Sequence, residues 1–239
     1  MEFYSVNKED KKFNIIPLIL VIAFLIAEGL FSLLVAGIVP KDSELRFSST
    51  WFFGKLLTLI IVVIICFKPI VSNSKDVFKN FKRFMPFVLV AFVVFYLCSI
   101  GTNYYLILIE KVFGVGDTTN QAEIKKYFAS SDKTIHYVML FLTIVICAPL
   151  LEELEFRKLI FDAFPNTHFI VPVLTSGLLF GLAHMAEFAW IELLYLPVYM
   201  IPGFVLALIY HYSNKNVFAT FTVHMLWNLI SFIAFIVGL

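Results

Sequence analysis

Charge is scarce in this chain, and neither sign dominates. Across 239 residues, 18 Lys and Arg face 17 Asp and Glu, a net charge of +1. There is no basic domain and no basic stripe with interleaved aromatics, so nucleic acid is not an expected partner. Cysteine is nearly missing too. Cys66, Cys98 and Cys147 each sit in an apolar stretch without a neighbour at zinc-ligand spacing. They read as small buried apolar residues, not as a disulfide framework. Low-complexity segments and internal repeats are absent, and so are the H-E-x-x-H and G-x-S-x-G signatures of common hydrolases. The first apolar run, about 25 residues, carries no small-residue cleavage site, so it is expected to stay as a membrane anchor.

What the chain has in abundance is apolar surface. Its residues are 61% hydrophobic, 28 of them Phe, and the mean hydropathy is +0.92. Soluble domains stay near ~45–50% apolar. The pattern predicts an all-α, polytopic transmembrane helical bundle forming a single integral membrane domain over 1–239. Windows of ~20 apolar residues predict about seven spans, at roughly 14–38, 51–71, 84–112, 136–162, 168–186, 190–210 and 216–238. Lys8, Lys11 and Lys12 precede the first span, and Lys68, Lys75, Lys79, Lys82 and Arg83 follow the second. This bias predicts a cytoplasmic N-terminus and an outside C-terminus. Residues 120–129 place Ala122, Ile124, Tyr127 and Phe128 near one side of a short helix, either lying on the membrane surface or gating a substrate.

Three polar motifs interrupt the late spans: Glu152-Glu153-x-x-x-Arg157, Phe180-x-x-x-His184 and His224-x-x-x-Asn228. A charge at bilayer depth costs at least ~2.5–3.5 kcal/mol, so such residues mark function by default. At 1.5 Å rise per residue, Glu152, His224 and Asn228 fall ~15, ~12 and ~18 Å from the inner face, and His184 ~24 Å. One mid-membrane cluster is therefore allowed, with an active site inside the bundle and a catalytic core over 136–230.

Helical phase then divides the labour. Glu153 and Arg157 are i,i+4 with the acid first, a favourable ion pair, while Glu152 points ~100° away. Glu152 is the natural general base for a water, His184 a second holder of that water, and His224 with Asn228 the oxyanion donors. Glu153 and Arg157 are supporting residues, or simply a structural ion pair. His184 alone also reads as a hydrogen-bonded core histidine, and His224 with Asn228 as an interhelical clamp. His136, His168 and His211 are expected at span ends. Two histidines and a carboxylate can also hold zinc. Asn228 is a poor zinc ligand and a good oxyanion donor, so a metal-free site without a cofactor is favoured over zinc.

At these residues the chain resembles the CPBP family: type II CAAX prenyl endopeptidases, bacteriocin-processing proteins and abortive-infection membrane proteins. Its pattern E-E-x-x-x-R, F-x-x-x-H, H-x-x-x-N/D stands here as Glu152-Glu153-Leu-Glu-Phe-Arg157, Phe180-Gly-Leu-Ala-His184 and His224-Met-Leu-Trp-Asn228, within about residues 136–230. The resemblance implies Glu152 as catalytic base, His184 as its partner on the water, His224 and Asn228 as the oxyanion site, and Glu153 and Arg157 in support. It departs at Glu155, where the family often has an apolar residue, and at Lys158, where it has glycine. The expected activity is an intramembrane endopeptidase acting on a membrane-associated or lipidated peptide in a bacterial cell membrane. A non-catalytic scaffold or bacteriocin-immunity protein is the alternative. A proton-coupled transporter is disfavoured by the lack of an inverted repeat.

Overall fold

Backbone polar groups inside a bilayer must be satisfied within their own segment, so long apolar runs become helices. The computed structural model describes residues 13–185 and 189–238; Lys8, Lys11, Lys12 and Glu187 lie outside them. The described chain is all-helical: α1 (Ile15–Ile38), α2 (Arg46–Ile65), α3 (Phe67–Lys79), α4 (Phe81–Phe113), α5 (Thr119–Phe128), α6 (Thr134–Ala163), α7 (Ile170–Ala183), α8 (Trp190–Tyr212) and α9 (Val217–Val237). Six of them, α1, α2, α4, α6, α8 and α9, are long and apolar enough to cross a membrane.

Two expected spans take a different form. The span predicted at 51–71 ends at Ile65, and Phe67–Lys79 is a separate helix with no buried residue. Lys68, Lys75 and Lys79 sit on it, and burying them would strand their charge. It fits a helix lying at the interface. The span predicted at 168–186 is α7, only 14 residues. Its rise of ~21 Å falls short of a ~30 Å hydrocarbon core.

Helix α6 is the axis of the molecule. Half of its most apolar window is buried, against 11–33% for the other crossing helices. It packs against α1, α2, α7, α8 and α9. Helices α7 and α8 pack closely where Gly203 faces Gly177; a Cβ on Gly203 would meet the Gly177 Cα at 3.0 Å. Ser176-Gly177 is thus a small-residue packing element. Helix α3 holds the start of α9: the Val217 amide donates to Asn73 Oδ1 at 2.9 Å, and the Asn216 amide donates to the Asn73 carbonyl at 3.2 Å.

Helix α5 lies over the end of α6, and Tyr127 and Phe128 pack onto the cluster around Leu140 and Phe232. His136 lies at the start of α6, at a span end as expected, and is fully buried there. His168 is exposed at a helix start, and His211 stacks on Phe169 at 4.5 Å.

Candidate active site

The local structure of α6 sets the site. The helix turns π-helical over Leu142–Cys147 and again over Glu153–Leu159. Such turns widen the ladder to i→i+5 and recur at functional sites. The Ala148 amide bonds the Thr143 carbonyl in this wider pattern. Pro149 comes next and has no N–H to offer Ile144. Asn228 of α9 fills that vacancy, its Nδ2 donating to the Ile144 carbonyl at 2.9 Å.

Glu152 and Glu153 follow directly and face different surroundings. Glu153 is fully buried, with its Oε2 3.2 Å from Arg157 Nε. That pair is held by charge, because neither atom has an aligned hydrogen-bond partner. Arg157 also donates from Nη2 to the Gly203 carbonyl at 3.3 Å and lies 4.5 Å over the Phe180 ring. The other Glu153 oxygen accepts from His224 Nδ1 at 2.9 Å. Glu153 therefore does two jobs: it pairs with Arg157 and it aims the imidazole, as a carboxylate does for a catalytic histidine.

Glu152 lines a cavity of about 560 Å³ together with His184, His224 and Asn228. His224 Nε2 stands 3.8 Å from Glu152 Oε2. His184 ends α7, and its Nδ1 donates to the Phe180 carbonyl at 2.8 Å. A carbonyl cannot donate, so that nitrogen carries the proton and neutral His184 keeps a bare Nε2 as an acceptor. The Tyr199 ring stacks on the imidazole at 4.8 Å, and the Tyr199 hydroxyl is 2.6 Å from Thr118 Oγ1, just before α5. Asn120, Gln121 and Glu123 of α5 line the same cavity. The structure thus brings Glu152, His184, His224 and Asn228 to one cavity, with Glu153 and Arg157 packed behind. His184, at the end of α7, reaches that cavity.

Two charged residues on this cavity escaped the sequence reading. Lys55 of α2 is 9% exposed, and its Nζ lies 2.8 Å from Glu28 Oε1 of α1. Both line the cavity, as does Glu155. The signal was available: each lies inside an apolar span, where an isolated charge is costly. Among the described residues, no three His, Cys, Asp or Glu side chains gather closely enough to hold a metal ion.

Comparison with known proteins adds an independent line. The model of the family "Type II CAAX prenyl endopeptidase Rce1-like" matches residues 134–230. Residues 134–230 are similar to that family. The likeness read from the three motifs is borne out, and the matched segment contains all seven motif residues. An uncharacterized protein of Mycoplasma capricolum subsp. capricolum is 28% identical over 185 residues, 75% of this chain and 54% of that protein. The chain thus spans about half the length of that relative. "Putative membrane peptidase YdiL" of Bacillus subtilis is 24% identical over 203 residues, 83% of this chain and 77% of that protein. No solved structure matches the chain. The six long apolar helices support an integral membrane protein.

Proposed function

We propose that the chain is an intramembrane endopeptidase in which Glu152 activates a water against a peptide bond of a membrane-associated or lipidated peptide. One observation carries this reading: Glu152, His184, His224 and Asn228, from three helices, face one cavity. A water between Glu152 and His184 gives one proton to the Glu152 carboxylate and hydrogen-bonds the bare Nε2 of His184 with the other. Its oxygen attacks the scissile carbonyl carbon. Asn228 has two amide protons; one holds Ile144, and the second is available to the oxyanion. The Nε2 edge of His224, aimed by Glu153, flanks the same position. As the C–N bond breaks, Glu152 returns its proton to the leaving amine. The Phe and Trp side chains around the cavity suit an apolar substrate segment. Bacterial relatives and the basic helix α3 support a bacterial cell membrane with the N-terminus on the cytoplasmic side.

No step needs a metal. Treating the purified full-length protein with 1,10-phenanthroline is expected to leave the cleavage rate unchanged; loss restored by zinc would overturn the metal-free chemistry. The test of the activity is Glu152→Gln in detergent or liposomes, assayed by mass spectrometry on a mixture of hydrophobic peptides. The folded variant is expected to lose about 10²–10⁴-fold in rate. Unchanged cleavage would remove Glu152 as the base.

A further inference from the structure

Glu28, Lys55 and Glu155 have no part in the chemistry above, yet all three line the cavity. They come from α1, α2 and α6. Lys55 is matched to Glu28 at 2.8 Å and lies within electrostatic reach of Glu152 and Glu155. Glu155 is 1% exposed, and its Oε1 has no hydrogen-bond partner. Four carboxyl groups, Glu28, Glu123, Glu152 and Glu155, line the cavity among the described residues, against the single ammonium of Lys55. An unmatched carboxyl in apolar surroundings is strongly unfavourable, and a cation entering beside it removes that cost. Trp51, one turn before Lys55 on α2, lines the same cavity, with its ring stacked on Tyr127.

We propose that Glu155 forms a subsite for a basic side chain of the substrate peptide, a Lys ammonium or an Arg guanidinium. This rests on the peptidase reading, since the peptide that delivers the cation is the one whose bond faces Glu152. Glu152 and Glu155 are three residues apart on α6, only ~4.5 Å along a helix axis, and line the same cavity. An extended peptide advances ~3.3 Å per residue, so the basic residue lies within about two residues of the scissile bond. The Glu28–Lys55 pair keeps the α1–α2 wall neutral and leaves Glu155 as the carboxyl that an incoming cation would hold in its charged form.

The test uses the full chain and a set of hydrophobic decapeptides of Ala, Leu and Phe, with one Lys moved through successive positions. Each is paired with its acetyl-lysine twin, which keeps the length and loses the charge. For wild type, kcat/KM is expected to favour the Lys peptide by about tenfold or more at one register, as one charged hydrogen bond provides. In Glu155→Gln the ratio collapses toward one. Glu155→Leu does the same with an apolar residue, should the glutamine variant fold poorly. A ratio near one in wild type, or one that survives both substitutions, overturns the subsite. Binding of fluorescein-labelled Lys and acetyl-lysine peptides is measured in parallel. If wild type cleaves neither peptide but still binds the Lys form more tightly in a Glu155-dependent way, the subsite stands and the peptidase reading falls. Cleavage without charge preference has the opposite meaning.

Discussion

At the scale of the residue, the site is a set of polar groups that each answer to more than one partner. Asn228 is the clearest case. It closes the gap that Pro149 leaves in α6, through the Ile144 carbonyl, and in the proposed mechanism its second amide proton serves the oxyanion. Asn228→Ala is therefore expected to lower stability by about 1–3 kcal/mol, the cost of an unmet buried carbonyl. It is also expected to reduce kcat by about 10²–10³, the usual loss of an oxyanion donor. Thermal unfolding and steady-state kinetics on one preparation check both; a variant that loses activity without losing stability contradicts the structural half. Glu153 is wedged between Arg157 and His224 with no exposure. Glu153→Gln leaves a buried arginine without its counter-charge, and ~3–5 kcal/mol of destabilisation is expected, read as a drop in Tm. The sequence showed the Glu153–Arg157 pair through its i,i+4 spacing. It could not show Glu153 holding His224, because 71 residues separate them and only packing joins α6 to α9.

At the scale of the element, backbone rules were legible where they are local. Apolar length marked the crossing helices, and the pattern at 120–129 marked α5. The short α7 was hidden, because its apolar run continues to His184 and nothing local says the helix stops there. Helix α3 was hidden in the same way: its apolar residues extend the run of α2, and its lysines read as a loop. Nor does sequence alone reveal that α5 is tied to the site. The Tyr199 hydroxyl meets Thr118 and Asn120 while its ring stacks on His184. Tyr199→Phe keeps the stack and frees α5, so amide exchange over 119–128 is expected to quicken while kcat holds. Tyr199→Leu removes the stack too, and kcat is expected to fall. Equal kcat in the two variants would show that the ring does not position His184.

At the scale of the whole molecule, one axis helix presents its carboxylate to a cavity that six other helices and α5 line. The membrane bundle follows from composition. The meeting of three motifs follows from chain topology, which places α7 and α9 against α6. In the proposed mechanism the water is activated by Glu152 and attacks the peptide directly. A single turnover in ¹⁸O-labelled water, with enzyme in excess over peptide, tests that most directly. The label is expected in the new C-terminal carboxyl of the product and not in the Glu152 side chain. Label in Glu152 with an unlabelled product would mean that the carboxylate itself attacks, and absence of cleavage by folded wild type would contradict the account altogether.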